Sequence, residues 1–183
     1  INNMDDIINS NDETIDSWDD DNLKLKQKLL RGIYAYGFEE PSSIQKKAII
    51  PLIKKKDIIA QSQSGTGKTG AFVIGSLQNI DYELNEVQTL ILAPVRELAR
   101  QINGVVKSLG KMLNVRTHIL VGGSSIDEDV RILRDHKPHV IIGCPGRTYD
   151  MIRRKQLKTE NINCIIIDEA DEMLSSGFKE QIY

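Results

Sequence analysis

The sequence is poor in cysteine and aromatic residues and has no long apolar run, and each scarcity excludes a class of protein. Two cysteines and one tryptophan occur among 183 residues, and aromatic residues make up 5% of the chain. Two cysteines are too few for a disulfide-rich scaffold. Cys144 and Cys164 lie beside or within apolar runs and lack metal-ligand spacing. We therefore predict reduced, buried thiols in preference to a disulfide or a zinc site.

The chain also lacks the segments that direct proteins to or through membranes. No apolar run approaches the roughly 20 residues that cross a bilayer. The N-terminus is acidic, whereas a secretory signal is basic and then apolar. We therefore expect a protein of the cell interior, cytoplasmic with a nuclear location as the alternative, and no membrane partner.

What remains is the composition of a globular chain with an acidic end. Hydrophobic residues make up 40% of the chain and charged residues 27%, which suits about one domain with a core. Residues 1–21 contain eight acids and no lysine or arginine, which leaves 18 acids against 24 bases in the other 162 residues. This mildly basic part is compatible with nucleic acid without requiring it. Residues 1–17, rich in Asn, Asp and Ser, are predicted to be a disordered acidic arm, and 18–183 to be a folded domain.

One stretch carries readily interpreted chemistry: the apolar run 57–61 leads into a loop that ends in Gly-Lys-Thr at Thr69. Glycines allow a backbone to wrap a polyphosphate with its N–H groups, and Gly65 and Gly67 supply this freedom. Lys68 is expected to face the β and γ phosphates and Thr69 to ligate magnesium, with the following helix turning its positive end toward the anion. A glycine-rich turn with a chance lysine is the alternative.

Apolar runs of strand length alternate with amphipathic helical stretches along the rest of the chain. This alternation, with continuously apolar strands, predicts an α/β fold in which a parallel sheet has helices on both faces. The predicted strands are 57–61, 89–93, 116–121, 139–143 and 164–168, and the helices between them are predicted to begin at Lys68, Val95, about Asp127 and about Thr148. Upstream, one helix is predicted to end before Gly37 and another to open near Pro41.

Ligands of such sheets collect outside the carboxyl ends of the strands, so the segments after the strands are candidate site residues. The last predicted strand ends in Asp168 and is followed by Glu169. A carboxylate at this edge suits magnesium, and the adjacent glutamate suits orienting and deprotonating a water that attacks a γ phosphate. Capping of the next helix is the alternative role of these acids. The other segments are the phosphate loop, 94–98, Gly122-Gly123 and 144–147.

Together these segments resemble the motifs of the DEAD-box RNA helicases. Residues 168–171 spell the tetrapeptide Asp-Glu-Ala-Asp that names the family. The phosphate loop is similar to the family's first motif, 94–98 to its Pro-Thr-Arg-Glu-Leu motif, 122–123 to its glycine pair, 144–147 to its Thr-Pro-Gly-Arg motif and 37–45 to its adenine-reading Q motif. The resemblance runs from Trp18 to Tyr183 and is strongest to the subgroup of the translation-initiation helicase and its exon-junction relative. It implies a RecA-like fold of the P-loop NTPase class.

The resemblance implies a site for ATP and magnesium. Gln45 would pair with the donor and acceptor edge of adenine and Phe38 would stack on the ring, which selects ATP over GTP. Trp18 stands at an upstream aromatic position and would support the adenine pocket, with a core anchor as the alternative. The implied nucleotide-binding residues are Trp18, Phe38, Gln45, Ser64, Gly65, Thr66, Gly67, Lys68 and Thr69, the catalytic ones Lys68, Asp168 and Glu169, and the magnesium ligands Thr69 and Asp168.

The resemblance also implies a sequence-independent site for single-stranded RNA. Backbone N–H groups and guanidinium groups of the loops after the strands would hold its phosphates. The implied RNA-binding residues are Pro94, Arg96, Gly122, Gly123, Pro145, Gly146 and Arg147. Three positions depart from the family pattern: Ser62 replaces alanine, and Val95 and Cys144 each replace threonine. The last two changes remove hydroxyl groups, so weaker RNA contact is predicted at this face.

Two parts that the resemblance implies do not occur in these residues. The family's Ser-Ala-Thr motif, whose strand lies between the phosphate-loop strand and the Asp-Glu strand, is one. The second RecA-like domain, which supplies arginines to the γ phosphate, is the other. We therefore expect these residues to be part of a longer protein and weakly active alone. The expected function is ATP-dependent RNA unwinding in translation initiation, with a scaffold protein of the initiation or exon-junction machinery as partner. An ATP-gated RNA clamp and a P-loop ATPase that acts on no nucleic acid are the alternatives.

Overall fold

The computed structural model describes residues 14–61, 63 and 65–182, which form two compact units. The N-terminal unit comprises the described residues of Ile1–Asn79 together with Ser108–Leu113. The sheet unit comprises the described residues of Ile80–Lys107 and Asn114–Tyr183. The units divide the predicted site: the phosphate loop and the Q motif belong to the N-terminal unit, and the other motifs belong to the sheet unit.

The described N-terminal unit contains the helices α1 (Gln27–Tyr36), α2 (Ser43–Ile53) and α3 (Lys68–Asn79). Helix α1 ends at Gly37, as predicted, and the φ of 96° at this residue lies in the left-handed region that glycine favours. Apolar side chains of all three helices are buried, among them Leu29, Ile33, Ile44, Ile49, Ile74 and Leu77, whereas Tyr34 and Tyr36 of α1 are exposed. The amphipathic spacing of the sequence therefore produces the core of this unit.

Packing in this unit begins upstream of the predicted domain boundary. Ile15 has no exposed surface, and its backbone N–H donates to Lys46 O at 3.2 Å. It belongs to the stretch 1–17 that composition predicts to be an arm, and one buried isoleucine anchors the chain there; the boundary at residue 18 stays a prediction. Residues 1–13 lie outside the described residues, and disorder in them stays a prediction.

The sheet unit is built on β1 (Thr89–Leu92), β2 (Thr117–Leu120), β3 (Val140–Gly143) and β4 (Cys164–Ile167). The strands are parallel and lie in the order β2-β3-β1-β4. Thr89 is in register with Val140 on one side and with Cys164 on the other. Strands β1 and β3 are buried along their whole length, as continuously apolar central strands should be. The α/β fold with a parallel sheet is therefore confirmed, together with these strands.

The prediction of a strand at 57–61, the first of the five predicted strands, is wrong. Residues 56–61 have no regular secondary structure, and Ile59 is 74% exposed. An apolar run becomes a strand when a neighbour completes its backbone hydrogen bonds, and within the described residues the sheet consists of the strands above. One edge of that sheet is β4, where Ile165 and Ile167 are 62% and 40% exposed. Residues 57–61 therefore pair with no strand among the described residues, and the outer edge of β4 is likewise unpaired with any strand described here.

Helices follow the strands of the sheet unit in the predicted alternation. They are α4 (Arg96–Leu109), whose last two residues belong to the N-terminal unit, α5 (Ile126–Asp135), α6 (Pro145–Arg153), α7 (Ala170–Ser175) and α8 (Lys179–Ile182). Helix α6 begins at Pro145 rather than near Thr148, because the fixed φ of proline and its missing N–H suit a first helical position. One core cluster of this unit contains Val87, Leu90, Leu92, Leu120, Ile141, Met151, Leu157 and Met173. Among the residues that the structure describes, no helix has both the length and the apolar character to cross a membrane.

Candidate nucleotide and nucleic-acid sites

The phosphate loop leads directly into α3 in the N-terminal unit. Gly65 and Gly67 have φ angles of 83° and 97°, which residues with a Cβ rarely adopt. Lys68 and Thr69 begin α3, so the backbone around them presents the positive end of a helix. This combination of positive φ angles and a helix start is the geometry that a polyphosphate requires.

The structure describes the phosphate loop except at two positions. Ser62 and Ser64 lie outside the described residues, so phosphate binding by Ser64 stays a prediction. The Thr66 hydroxyl donates to Gln63 O at 2.8 Å. This hydrogen bond closes a turn over residues 63–66, and it directs the Thr66 hydroxyl toward the loop backbone.

Gln45 links the start of α2 to the phosphate loop. The residue is 2% exposed. Its Oε1 accepts a hydrogen bond from Ser42 N at 2.8 Å, and its Nε2 donates to Gly67 O at 3.2 Å. Each amide atom retains one further hydrogen-bonding position. The side chain predicted to recognise adenine is thus also attached to the loop predicted to hold phosphate.

Gly70 is a site residue that the sequence analysis missed. A Cβ placed on it would lie 2.8 Å from both Gln45 Nε2 and Phe38 Cε2, closer than van der Waals contact allows. Phe38 and Gln45 therefore lie directly against the first turn of α3, and glycine makes this approach possible. An isolated glycine inside a helical pattern is the signal that could have identified the position.

Aromatic residues surround Phe38. The ring of Trp18 stacks on it with centroids 6.2 Å apart and an interplanar angle of 20°. The ring of Tyr36 meets it edge-on at 4.8 Å. Trp18 is 1% exposed, so it is a core residue that packs against Phe38, and its role in supporting an adenine pocket stays a prediction.

The acidic edge follows β4 in the sheet unit. Asp168 is 5% exposed, and its backbone N–H donates to Leu92 O at 3.0 Å, which continues the sheet pairing by one residue. Glu169 has φ 51° and ψ 50°, and its N–H donates to Asp168 Oδ1 at 3.1 Å. A non-glycine residue in the left-handed region carries about 1–3 kcal/mol of strain, and such residues cluster at functional sites. The conformation thus supports a functional role for Glu169.

The predicted RNA-binding residues of the sheet unit lie after the carboxyl ends of β1, β2 and β3. Gly122, Gly146 and Arg96 are exposed, whereas Pro94 and Pro145 are buried. Gly123 has a φ of 82°, and a Cβ there would lie 2.9 Å from Arg96 Nη1. The Arg96 guanidinium therefore lies against the glycine pair. The loop after β2 thus contacts the start of α4 through Arg96. The two prolines lie buried at the starts of the segments that follow β1 and β3.

Arg147 has a different environment from Arg96. Its side chain is 10% exposed, and it forms an ion pair with the buried Asp129. Its Nη1 donates to Ser124 Oγ at 3.1 Å and its Nη2 donates to Ser124 O at 2.9 Å. The guanidinium expected to hold a phosphate is bonded within the protein, and no sequence motif predicts its pairing with Asp129.

The two departures in this region, Val95 and Cys144, occupy the starts of α4 and α6. Val95 is 42% exposed. Cys144 is the N-cap of α6 and makes no side-chain capping bond, and burial raises the pKa of its thiol. Neither Cys144 nor Cys164 forms a disulfide within the described residues, as predicted, but both are partly exposed rather than buried.

Comparison with known proteins identifies relatives over nearly the whole chain. The family model described as DEAD/DEAH box helicase matches residues 42–183. An ATP-dependent RNA helicase eIF4A of Pyricularia oryzae is 56% identical over 177 residues, which cover 96% of this chain and 44% of the relative. An ATP-dependent RNA helicase FAL1 of Mycosarcoma maydis is 57% identical over 163 residues, which cover 89% of this chain and 41% of the relative. The chain thus spans less than half the length of these relatives.

Solved structures of similar sequence have the same fold. A DEAD box protein from Methanococcus jannaschii is 34% identical with a TM-score of 0.86, and the match covers 92% of this chain and 46% of that one. A variant of Dbp5 from S. cerevisiae, solved bound to RNA and ADP BeF3, is 39% identical with a TM-score of 0.81, covering 91% of this chain and 41% of that one.

Proposed function

Because the chain belongs to the DEAD/DEAH box helicase family, we propose that it is the ATP-binding, first RecA-like part of an ATP-dependent RNA helicase. The proposed activity couples ATP hydrolysis to local unwinding of RNA in translation initiation. The observation that carries this proposal is the attachment of Gln45 to the phosphate loop, with Phe38 packed beside it against Gly70 of α3. Side chains suited to an adenine are thereby fixed to a backbone suited to its phosphates.

Each nucleotide contact has a proposed physical role. Gln45 reads adenine through its remaining hydrogen-bonding positions, and Phe38 stacks on the ring, supported by Trp18. The phosphates lie against the backbone N–H groups of residues 64–69, and Lys68 places a cation at the β and γ phosphates. The proposal therefore includes selectivity for ATP over GTP.

Magnesium is the proposed metal, because the donor atoms that each unit offers by itself fit this ion. A hydroxyl at the start of α3, on Thr69, and a carboxylate at a strand end, on Asp168, are hard oxygen ligands, and Mg²⁺ prefers a few of these together with substrate phosphates. When bound, the ion neutralises charge on the β and γ phosphates. Glu169 is proposed to orient a water and accept its proton as it attacks the γ phosphate.

The proposed RNA site is the set of exposed loops in the sheet unit. Arg96, Gly122, Gly123 and Gly146 are proposed to contact successive phosphates of a single strand, without reading its sequence. Pro94 and Pro145 are proposed to shape these loops, and Arg147, the remaining predicted residue, makes its contacts within the protein. The complex of the similar Dbp5 variant with RNA supports this assignment.

Further partners are proposed from the relatives. A second RecA-like domain in the same protein is proposed to complete the ATP site. A scaffold protein of the initiation or exon-junction machinery is the proposed external partner, and Dbp5 structures with Gle1 or with Nup159 and Gle1 show that a similar protein binds other proteins. The proposed location is the cytoplasm, with the nucleus as the alternative.

RNA-stimulated ATP hydrolysis by the full-length protein tests the proposal. Glu169→Gln is expected to lower kcat by at least about a hundredfold, because it removes the group that accepts the proton of the attacking water. Glu172→Gln, an exposed acid of α7, is the matched control and is expected to leave kcat unchanged. Wild-type turnover in Glu169→Gln would refute the role of Glu169.

Two further readouts separate the alternative functions. Hydrolysis that RNA does not stimulate at low salt would favour a P-loop ATPase that acts on no nucleic acid. Long retention of RNA with ATP, without separation of a short duplex, would favour an ATP-gated clamp.

A further inference from the structure

A buried carboxylate connects the loops of the sheet unit that face the proposed RNA. Asp129 lies on α5 and is 2% exposed. Its Oδ1 lies 2.8 Å from His118 Nε2 on β2, and its Oδ2 accepts from Arg147 Nη1 on α6 and from Ser124 Oγ at 3.3 Å. One side chain thus contacts a strand, the loop after that strand and the helix after β3.

Arg147 completes the connection from the other side. It donates to Ser124 O as well as to Ser124 Oγ, so it reaches from the start of α6 to the loop 122–125. Ser124 follows the glycine pair, and Gly146 precedes Arg147. The network therefore fixes the spacing between two of the loops whose backbone is proposed to bind phosphates.

We propose that Asp129 is a positioning residue for RNA binding and that Arg147 acts with it as a clamp between the two loops rather than as a phosphate ligand. This inference rests on the proposed function, because it assigns a role within the proposed RNA site. The low exposure of both side chains supports it: a guanidinium paired with a buried carboxylate and bonded to a backbone carbonyl has few donors left for a phosphate.

Electrostatics and positioning predict opposite effects for removal of this charge. A carboxylate near a phosphate-binding surface repels RNA, so its neutralisation alone would tighten binding and free Arg147 to contact a phosphate. Loss of a positioning group has the reverse effect, because the loops separate and their N–H groups no longer match the phosphate spacing. The sign of the change in RNA affinity therefore distinguishes the two roles.

The experiment measures the affinity of the full-length protein for a fluorescent single-stranded RNA, by anisotropy with a nonhydrolysable ATP analogue, over a series of salt concentrations. Asp129→Asn is expected to weaken binding roughly tenfold, the effect of losing one or two hydrogen bonds. The slope of log affinity against log salt is expected to stay constant, because no phosphate contact of a charged side chain is lost. Asp127→Asn, an exposed acid of the same helix, makes the same charge change and is expected to bind equally or slightly more tightly.

Two further variants keep the test decisive if Asp129→Asn folds poorly. Asp129→Glu retains the carboxylate and is expected to recover most of the affinity. Arg147→Lys retains the charge but loses the forked guanidinium that bonds to both Asp129 and Ser124. It is expected to lower RNA affinity as much as Asp129→Asn does, with an unchanged slope of log affinity against log salt. The double variant is expected to bind no more weakly than either single variant.

Three outcomes would overturn the inference in a protein that melts at the wild-type temperature. They are tighter or unchanged binding in Asp129→Asn, wild-type affinity in Arg147→Lys, and a salt slope that falls by about one unit in a neutral variant, Arg147→Gln. Absence of RNA binding by the wild-type protein would instead refute the proposed function, so the two failures are distinguishable.

Discussion

The two units hold their binding loops by different means. In the N-terminal unit, the phosphate loop is held by close packing: Gln45 and Phe38 lie against Gly67 and Gly70, where a Cβ would come within 3 Å of them. In the sheet unit, the loops after β2 and β3 are held by charged side chains, with Arg147 bonded to the buried Asp129. The phosphate loop thus depends on the absence of side-chain volume, whereas the loops of the sheet unit depend on charge as well, since the group that a Cβ at Gly123 would approach to 2.9 Å is the Arg96 guanidinium.

This contrast predicts different vulnerabilities. A close-packed region fails when atoms are added, and its contacts are insensitive to salt and pH. A region organised by buried polar and charged groups fails when a partner is removed or a group changes its protonation state. Volume changes should therefore dominate in the N-terminal unit, and pH and charge should dominate in the sheet unit.

The largest predicted effect is on stability, for Gly32→Ala in α1. A Cβ at Gly32 would lie 2.1 Å from the backbone oxygen of Leu109, and a backbone atom moves less readily than the end of a side chain. We expect a loss of about 3 kcal/mol or more in the free energy of unfolding. Hydrogen exchange over the peptides of α1 in the full-length protein, in a urea series, measures this loss locally.

Gly104→Ala in α4 is the matched control for added volume. A Cβ there meets no atom within 4 Å, and alanine favours an exposed helix by about 0.5–1 kcal/mol over glycine. We expect a small gain in stability. Equal stability of the two alanine variants would show that close packing at Gly32 does not limit this unit.

The second prediction concerns acid sensitivity of the sheet unit through His139. This residue has no exposed surface, and its Nδ1 accepts from Arg116 N at 3.2 Å. Burial, reinforced by the nearby Arg116 cation, lowers the pKa of His139 to about 4 from its ordinary value of 6.5. The unfolded state therefore binds a proton at a higher pH than the folded state does. Stability is complete above pH 6.5, and about 2–3 kcal/mol is lost as the pH falls toward 4.

Urea denaturation between pH 7.5 and 4 measures this dependence. His139→Asn retains an acceptor near the Nδ1 position and removes the titration, so its stability should fall less steeply with acid, although its stability at pH 7 is lower. His136→Gln, a change at an exposed histidine, should leave the wild-type profile intact. An identical pH profile in His139→Asn would exclude His139 as its source.

The third prediction returns to the close-packed region with a change that adds no volume. Gln45→Glu retains the oxygen that accepts from Ser42 N and replaces the Nε2 donor with an oxygen that faces Gly67 O. We expect roughly tenfold weaker ATP binding and a loss of preference for ATP over GTP, because a donor to the loop is lost and a charge is added. Titration with fluorescent nucleotides measures both.

Gln61→Glu adds the same charge at an exposed residue and is the control for electrostatic repulsion of phosphates. This variant should lower the affinities for ATP and GTP equally and by a small factor. Equal losses in the two glutamate variants would contradict a specific role for Gln45.

Much of this fold could be predicted from the sequence, because apolar runs bounded by turns determine buried parallel strands locally. The strands at 89–93, 116–121, 139–143 and 164–168 were predicted in this way, and the structure shortens each to four residues. The run 57–61 satisfied the same criterion and failed, because a strand also depends on a neighbour that the run does not encode. The helix starts were predicted to within about three residues, and Pro145 accounts for the largest error.

The candidate site was predictable where its chemistry is local in sequence. The phosphate loop and the Asp168-Glu169 pair are short motifs, so their residue types alone indicate their chemistry. Contacts between distant residues were not predictable: the bonds of Gln45 to Gly67 and of Arg147 to Asp129 span 22 and 18 residues. Neither bond follows a periodicity, so only the folded structure identifies which side chains meet.

The smallest predicted effect concerns the two departures beside the charged loops, Val95 and Cys144. Val95→Thr places a hydroxyl at an exposed position at the start of α4, and Cys144→Thr places one at the N-cap of α6, where the present side chain makes no capping bond. One neutral hydrogen bond contributes about 1 kcal/mol, so each variant should bind single-stranded RNA up to about fivefold more tightly. Anisotropy titration at fixed salt measures the change.

Val95→Ala and Cys144→Ser separate the effect of the hydroxyl from that of the methyl group: the serine variant should gain RNA affinity and the alanine variant should not. If neither threonine variant binds RNA more tightly, the missing hydroxyl groups do not limit this face, and the positions of the charged side chains and backbone N–H groups set its affinity.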